Sequence, residues 1–135
     1  MKNVKLSSYL LIIVSTSFFT RCTPENIDYR STAREFISAG QWTVDYYFAG
    51  YDKTALFTDY RFSFIGNGTV TANTSVGSVN GKWSIIRDVN RNEVLEILMN
   101  EAHFQDLNDD WTVTRAEAGL IVMKDAGSEL RLRKL

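Results

Sequence analysis

Hydrophobic and polar residues alternate with a period of two through most of the chain, over residues 40–135. Because successive side chains of a β-strand point to opposite faces, each such segment predicts a strand with one apolar face. About twelve residues for each strand and its turn is the spacing of an all-β sandwich or barrel. Eight segments show the pattern, around residues 42–48, 60–64, 70–72, 83–85, 95–97, 111–113, 120–123 and 130–132.

Turn residues separate these segments. Gly66-Asn67-Gly68 predicts a hairpin with a type I′ turn, because Asn and Gly tolerate a positive φ. Two longer connections, 50–59 and 100–110, each have room for a short helix, and no segment supplies the crossover helix of a parallel sheet. We therefore predict an eight-stranded antiparallel up-and-down β-barrel, whose closure removes exposed edges. Further turns are expected at Asn80-Gly81, Asn90-Arg91-Asn92, Ala118-Gly119 and Ala126-Gly127.

The first 21 residues differ from the rest and predict an export signal. Lys2 and Lys5 precede an apolar stretch over 6–19, which is too short and too rich in serine for a membrane span. The only cysteine of the chain, Cys22, follows it. This arrangement resembles a bacterial lipoprotein signal, which implies lipid attachment at Cys22 and a place in the cell envelope. The outer membrane is favoured over the inner one, and the face of the membrane stays open. Arg21 departs from that pattern, so an ordinary secretory signal is the alternative.

Residues 22–39 are expected to be a tether that contains a short helix. Ile27, Ala33, Phe36 and Ile37 follow Pro24 with a weak helical spacing. The barrel would then occupy residues 40–135.

Composition excludes several classes of function. All 16 acidic residues but only 12 of the 15 basic ones lie from Cys22 onward, so this part has a formal charge of −4. A mildly acidic domain with dispersed lysines and arginines is not typical of nucleic-acid binding. One cysteine excludes disulfides within the chain, and one histidine excludes His-rich metal sites. We expect a monomer without metal or cofactor.

Gly40-Gln41-Trp42 opens the first predicted strand and resembles the Gly-x-Trp signature of the lipocalins. In that family the tryptophan closes the barrel floor and a late arginine packs over it, which here implies Arg131 or Arg133. The body resembles more closely the small lipocalin-like lipoproteins of Bacteroidota. The segments that carry this likeness are Tyr60-Arg61-Phe62-Ser63-Phe64, Gly66-Asn67-Gly68-Thr69-Val70, Gly81-Lys82-Trp83-Ser84 and Leu107-Asn108-Asp109-Asp110-Trp111.

Catalytic and metal-binding patterns are weak. His103, the only histidine, lies in a predicted loop with no nucleophile placed beside it. Asp45, Asp59 and Glu96 fall on polar strand positions or in loops, so paired carboxylates in a cleft are not expected. Asp106, Asn108, Asp110 and Glu117 have the spacing of calcium-loop ligands, but Trp111 stands where the loop needs glycine. We interpret this segment as an acidic turn and expect no enzyme.

The inner face of the predicted barrel is aromatic. The strand alternation predicts that Tyr46, Tyr60, Phe62, Phe64 and Arg115 face inward. A barrel of eight strands is either filled by side chains or holds one small ligand. The first hypothesis is therefore a lipid-anchored binding protein with a small, largely apolar ligand in the barrel, with the two tyrosines and Arg115 at its polar end. The other placement of these three residues has Arg115 past the strand end in solvent and the tyrosines at the rim. The alternative is a filled barrel that contacts a protein or a glycan through its loops.

Overall fold

A computed structural model describes residues 32–135. This part of the chain forms a short α-helix, eight strands and two 3₁₀ helices, which we call rim helix 1 (Thr54–Leu56) and rim helix 2 (Ala102–Leu107). The rim helices lie in the two long connections, as predicted. The other elements are α1 (Thr32–Ile37), β1 (Gln41–Phe48), β2 (Arg61–Phe64), β3 (Thr69–Asn73), β4 (Ser78–Arg87), β5 (Glu93–Met99), β6 (Asp110–Glu117), β7 (Leu120–Asp125) and β8 (Ser128–Lys134).

The eight strands form a closed antiparallel barrel. Each strand pairs with the next along the chain, and β8 returns to β1, with Trp42 opposite Lys134 and Phe48 opposite Glu129. The predicted up-and-down barrel is confirmed. Closure pairs the first strand with the last, so neither remains as an exposed edge.

The seam between β1 and β2 is short. Only Gln41 with Ser63 and Trp42 with Phe62 are paired across it. Beyond this point β1 bonds to its own following loop: the Lys53 N–H donates to the Tyr47 carbonyl at 2.8 Å, and the Tyr47 N–H donates to Thr54 Oγ1 at 2.9 Å. These bonds hold rim helix 1 beside β1.

Two strands contain a β-bulge, and both bulges change which side chains face inward. The pairing of β1 with β8 shifts between Val44 and Tyr46, and that of β6 with β7 shifts between Val113 and Arg115. Because side chains alternate with a period of two, one extra residue exchanges the two faces beyond it. Tyr47 is therefore buried inside the barrel, and Tyr46 lies on its outer wall.

The turns differ in part from the prediction. The loop 66–68 has a positive φ at Gly68 alone, with the Gly68 N–H donating to the Ile65 carbonyl at 3.0 Å. A type I′ turn needs two such residues, so this hairpin is instead a three-residue loop with glycine at the left-handed position. Two successive residues with positive φ, as a type I′ turn needs, occur instead at Ala126-Gly127. The turn predicted at Asn80-Gly81 is wrong, since both residues lie within β4.

Gly81 has a packing role in that strand. A Cβ atom there would collide with the Leu98 carbonyl oxygen and would lie 2.8 Å from the Cα of Met99. The residue thus permits close contact between β4 and β5, which is one reason for a glycine inside a strand.

The topology places α1 and the rim helices at opposite ends of the barrel. α1 precedes the start of β1, whereas both rim helices follow odd-numbered strands, which all run in one direction. We call these ends the α1 end and the rim-helix end. The predicted short helix is thus present, and its predicted portion before residue 32 lies outside the described residues.

The α1 end is closed by α1 and Trp42, which are near one another in sequence, and by one bond to the distant residue Glu93. Ala33 and Ile37 are spaced by one helical turn and are both buried. The buried Trp42 indole N–H donates to the Ile37 carbonyl at 2.8 Å, and the Ala33 N–H donates to Glu93 Oε2 at 3.0 Å. The last carbonyl of α1 and one of its first N–H groups thus find partners in the barrel.

The rim-helix end is closed by aromatic and aliphatic side chains of the two long connections. Phe57, Phe104 and Leu107 are at most 2% exposed. The Phe57 and Phe104 rings lie 5.8 Å apart, and the Tyr47 ring lies 5.7 Å from that of Phe57. Lys53 Nζ donates to Asp106 Oδ2 at 2.8 Å and so joins the two connections.

Candidate functional site

Two of the residues predicted to face the interior do so. Phe62 and Phe64 are buried at 4% and 3% exposure. Their rings pack against other aromatic rings: Phe62 lies 6.3 Å from Phe104, and Phe64 lies 5.6 Å from Trp83 in an edge-to-face arrangement. These contacts fill the space that the first hypothesis reserves for a ligand.

Tyr46 and Arg115 do not face the interior, so that part of the prediction is wrong. Both follow the bulges described above, and both lie on the outer wall. Arg115 Nε donates to Glu117 Oε1 at 2.7 Å in an exposed ion pair. Arg131 stacks over the Tyr46 ring at 5.0 Å. Neither residue can therefore orient a ligand head group inside the barrel.

The arginine implied by the lipocalin resemblance does not pack over Trp42. Arg131 lies on Tyr46, and Arg133 makes two hydrogen bonds to Asp45, at 2.8 and 2.9 Å. This bidentate pair lowers the pKa of the Asp45 carboxyl. Trp42 is buried at the α1 end, as the signature implies.

The backbone conformation at position 40 explains why this residue is a glycine. Its φ is 110°, which glycine adopts readily, and a Cβ would lie 2.9 Å from Cε of Lys134. The glycine thus allows the chain to turn from α1 into β1 beneath the side chain of the last strand.

The interior of the barrel is filled by side chains. Its buried hydrophobic residues are at most 7% exposed and form one continuous cluster, in which twenty buried residues participate. Three grooves of about 980, 720 and 430 Å³ in the described part of the chain are lined largely by loop residues and outward-facing strand residues. This arrangement favours the filled-barrel alternative over a ligand inside the barrel.

The 980 Å³ groove is the candidate binding site, and we call it the rim groove. It runs beside the short seam between β1 and β2 and reaches the connection between β3 and β4. Its volume lies at the upper end of the range of small-ligand sites, about 300–1,000 Å³. The lining residues are Gln41, Leu56, Asp59, Tyr60, Arg61, Asn73, Thr74, Ser75, Val76 and His103.

Tyr60 and His103 form the aromatic part of the rim groove. Tyr60 is half-buried; its ring lies 5.7 Å from that of His103 and 5.0 Å from that of Phe104, which it meets edge-to-face. His103 Nε2 lies 3.3 Å from the Leu56 carbonyl oxygen. Because both rings pack on the closed rim-helix end, they offer a surface whose orientation is set before any ligand arrives.

Three polar side chains of the rim groove have unused hydrogen-bonding capacity. Among residues 32–135, the side chains of Gln41, Asp59 and Arg61 make no hydrogen bond or ion pair. Most other arginines of the described region have partners, such as Arg115 with Glu117 and Arg133 with Asp45. The unpaired groups of the rim groove are therefore free to bind a ligand.

The sequence did not predict this set of residues. Tyr60 was predicted to face the interior, with a position at the rim as the alternative, and it lies at the rim, just before β2. Asp59 and His103 were considered only for catalysis, and Gln41, Arg61 and Asn73 had no predicted role. The alternation of β2 does place Arg61 on the outer wall, but its proximity to residues 73–76 and 103 depends on long-range pairing.

Three of the four residues with calcium-loop spacing have other partners. Asp106 accepts from Lys53, and Glu117 accepts from Arg115. Asn108 bonds to both backbone groups of Met99: its Oδ1 accepts from the N–H at 2.6 Å, and its Nδ2 donates to the carbonyl at 3.0 Å. Within residues 32–135, no cluster of three or more His, Cys, Asp or Glu side chains is arranged to hold a metal ion.

Burial raises the pKa values of Tyr47 and Asp125 near the rim-helix end. Burial, together with the nearby carboxylates of Asp106 and Asp109, raises the pKa of Tyr47 to about 12. Burial and a hydrogen bond with Asp109 raise the pKa of the Asp125 carboxyl. Tyr47 is part of the closure, since its hydroxyl donates to the Asp106 carbonyl at 2.7 Å. Neither group lines the rim groove.

Comparison with solved structures identifies the fold. A DUF4847 family protein from Bacteroides vulgatus superposes with a TM-score of 0.56 at 14% identity, over 76% of this chain and 96% of that protein. A lipocalin-like protein from Bacteroides uniformis superposes with a TM-score of 0.51 at 15% identity, over 73% and 98% of the two chains. The fold is lipocalin-like. No protein-family model and no curated protein matches the sequence.

At such low identity the likeness concerns the lipocalin-like fold alone, and function depends on the site. None of the helices described over residues 32–135 has the length and apolar character to cross a membrane. Cys22 and the predicted export signal lie outside the described residues.

Proposed function

We propose that this lipocalin-like protein is a non-catalytic binding module, anchored by lipid at Cys22 in the bacterial envelope, which contacts its ligand through the rim groove. The packed interior is the observation that carries the proposal: the aromatic and aliphatic side chains that line it are almost fully buried. A ligand inside would have to displace rings such as Phe62 and Phe104. Binding of a ligand in the rim groove, in contrast, needs no rearrangement of these buried rings.

Closure of both ends supports the same conclusion. Trp42 and α1 close one end, and Phe57, Phe104 and Leu107 close the other. Entry of an apolar molecule would require separation of the rim helices, which the ion pair of Lys53 with Asp106 and the Tyr47 hydroxyl hold together.

The chemistry of the rim groove supports binding rather than catalysis. A histidine that acts as a general base needs a ring nitrogen within reach of the proton that it removes. His103 packs against the Phe57, Tyr60 and Phe104 rings, and its Nε2 lies near a backbone carbonyl instead of a hydroxyl nucleophile.

Native mass spectrometry of the detergent-purified protein tests the filled interior. We expect the mass of the processed chain and its lipid, without a second apolar molecule. The Phe62→Ala variant serves as a matched comparison, because it opens a space inside the barrel and should gain affinity for an apolar fluorescent probe. A stoichiometric apolar molecule retained by the unmodified protein, and lost on substitution of Phe62, would contradict the proposal.

The lipid anchor is tested separately by the location of the protein in cells. The Cys22→Ser variant should move from the outer-membrane fraction to a soluble or unprocessed form, because a hydroxyl cannot replace the thiol that receives the lipid. The Thr20→Ala variant is the control and should remain in the membrane fraction. Unchanged fractionation of the Cys22→Ser variant would show that another feature holds the protein at the membrane.

A further inference from the structure

We infer that the rim groove binds a neutral oligosaccharide, with a sugar ring against Tyr60 and hydroxyl groups bound by Asp59 and Arg61. This inference rests on the proposed function, because it names the ligand class of the same groove. It follows from three properties of the lining residues: their hydrogen-bonding types, their charges and the aromatic surface beside them.

The hydrogen-bonding groups of the rim groove include both donors and acceptors. The Arg61 guanidinium only donates, the Asp59 carboxylate only accepts, and the amides of Gln41 and Asn73 do both. A carboxylate or phosphate ligand would use donors alone, and a cation would use acceptors alone. A hydroxyl group both donates and accepts, so a polyhydroxylated ligand uses the complete set.

The charges of the rim groove point to a ligand without net charge. Asp59 and Arg61 line the same groove, and no ion pair joins them to each other or to another residue among those described. An anionic ligand would meet repulsion from Asp59, and a cationic one would meet repulsion from Arg61. A neutral ligand can bond to both groups.

The ring surface suits the apolar faces of sugar rings. The rings of Tyr60 and His103 lie 5.7 Å apart. The Tyr60 ring is held in place by contacts with four rings, those of Phe57, Phe62, His103 and Phe104. Aromatic rings combine a large contact area with a polar tip, and their few rotatable bonds limit the entropy lost on binding. The Asp59 carboxylate and the Arg61 guanidinium line the same groove as the Tyr60 ring, so the groove offers both polar and apolar contacts.

The backbone beside the groove argues against a peptide that adds a strand. Such a peptide needs unpaired N–H and C=O groups at a sheet edge. Near the end of β1 these groups are used by its own loop, since Tyr47 accepts from Lys53 and donates to Thr54, and Ala49 donates to Tyr51. The side chains of the groove therefore provide the contacts that remain.

The full detergent-purified protein on an array of neutral and acidic oligosaccharides tests the inference, followed by calorimetric titration of the sugars that bind. We expect binding of neutral oligosaccharides. The Asp59→Asn and Arg61→Gln variants should each weaken it by about tenfold, since each removes hydrogen bonds made to a charged group. Their melting temperatures should not change, because neither side chain has a partner in the described part of the protein.

Two further variants locate the site. Tyr60→Ala should abolish measurable binding, because it removes the ring surface. Tyr46→Ala, which removes a tyrosine of the outer wall that lies under Arg131 and does not line the rim groove, is the matched control and should bind as the unmodified protein does. Unaltered binding by Tyr60→Ala, Asp59→Asn and Arg61→Gln together would overturn the inference.

The same proteins, panned against a random peptide library, separate failure of the inference from failure of the proposed function. If only acidic sugars bind, or if no sugar binds but peptides do so in a manner that depends on Tyr60, the oligosaccharide inference is wrong and the rim groove remains the binding site. If neither sugars nor peptides bind in a way that depends on the groove, both the inference and the proposed function are wrong.

Discussion

The two ends of the barrel are both closed, but by different kinds of contact. At the α1 end, the indole of Trp42 bonds to Ile37, only five residues earlier in the chain. At the rim-helix end, Lys53 and Tyr47 bond to Asp106 across separations of 53 and 59 residues. The indole bond of the α1 end is therefore local in sequence, and one distant residue, Glu93, adds a bond to the Ala33 N–H, whereas the rim-helix end closes only when two distant connections meet.

This difference explains why the candidate site lies where it does. The α1 end is compact because α1, the adjacent strand β1 and Glu93 of β5 supply its contacts. The rim-helix end contains longer connections with more polar residues, and the rim groove is formed where they leave the seam between β1 and β2 partly open. Loops held by a rigid scaffold are common positions for binding sites.

The largest expected effect is at the α1 end. Trp42→Ala removes the largest fully buried side chain there and leaves the Ile37 carbonyl without its donor. We expect a loss of about 4–5 kcal/mol in the free energy of unfolding, measured by chemical denaturation. Trp42→Phe is the control and should cost less, since it preserves most of the volume. A loss below about 1 kcal/mol for Trp42→Ala would show that α1 does not close this end.

Phe104→Ala tests the rim-helix end and should cost about 3–4 kcal/mol. It should also allow an apolar fluorescent probe to enter the barrel, an effect not expected from a change at the α1 end. Leu98→Ala, at an exposed position of β5, is the control and should change stability by less than about 0.5 kcal/mol. If Phe104→Ala stays closed to the probe, the rim helices are not the barrier.

Tyr47→Phe sharpens the comparison, because it removes one bond of the long-range closure while the ring remains. Loss of the 2.7 Å hydrogen bond to the Asp106 carbonyl should cost about 1–2 kcal/mol at neutral pH. The pKa of Tyr47 is about 12 in the folded protein, above the usual tyrosine value near 10. As the pH rises, the Tyr47 hydroxyl therefore loses its proton at a lower pH in the unfolded chain than in the folded protein.

The pH dependence follows from that order. The stabilisation linked to Tyr47 is complete below about pH 10 and is lost as the pH rises towards 12. Denaturation measured across this range should show a steeper decline for the unmodified protein than for Tyr47→Phe. Equal slopes would contradict the burial of the hydroxyl.

The smallest effect is expected in a hairpin at the α1 end. The connections after β2 and β4 have the same bonding pattern, but Gly68 of the first corresponds to Arg91 of the second, with φ of 91° and 66°. A left-handed conformation is costly for a residue with a Cβ, so Arg91→Gly should raise the stability by about 1 kcal/mol. Arg91→Lys is the control and should leave the melting temperature unchanged. A loss of stability in Arg91→Gly would point to a role for the arginine side chain.

Much of the fold could be predicted from the sequence, and the errors have a common cause. The strand positions and the inward orientation of Phe62 and Phe64 follow from the alternation of apolar and polar residues. Tyr46 and Arg115 were assigned to the wrong face because each follows a bulge. A bulge inserts one residue into a pattern of period two, and the local sequence contains no signal that distinguishes it from a regular strand.

The candidate site was less predictable. Asp59, Tyr60 and Arg61 are adjacent in sequence, but Gln41, Asn73 and His103 join them only through strand pairing and the packing of rim helix 2. Asn80-Gly81 failed as a turn for a similar reason, since Gly81 is required by the close approach of β5.

The sequence by itself determined that the barrel has eight antiparallel strands and an apolar interior, because the period-two pattern and the turn residues act locally. Only the tertiary structure decided that the interior is filled, which wall Tyr46 and Arg115 occupy, and that a groove forms at the rim. These features depend on the volume of many side chains packed together and on strand register. Both are properties of the closed barrel as a whole, which no single segment of the chain specifies.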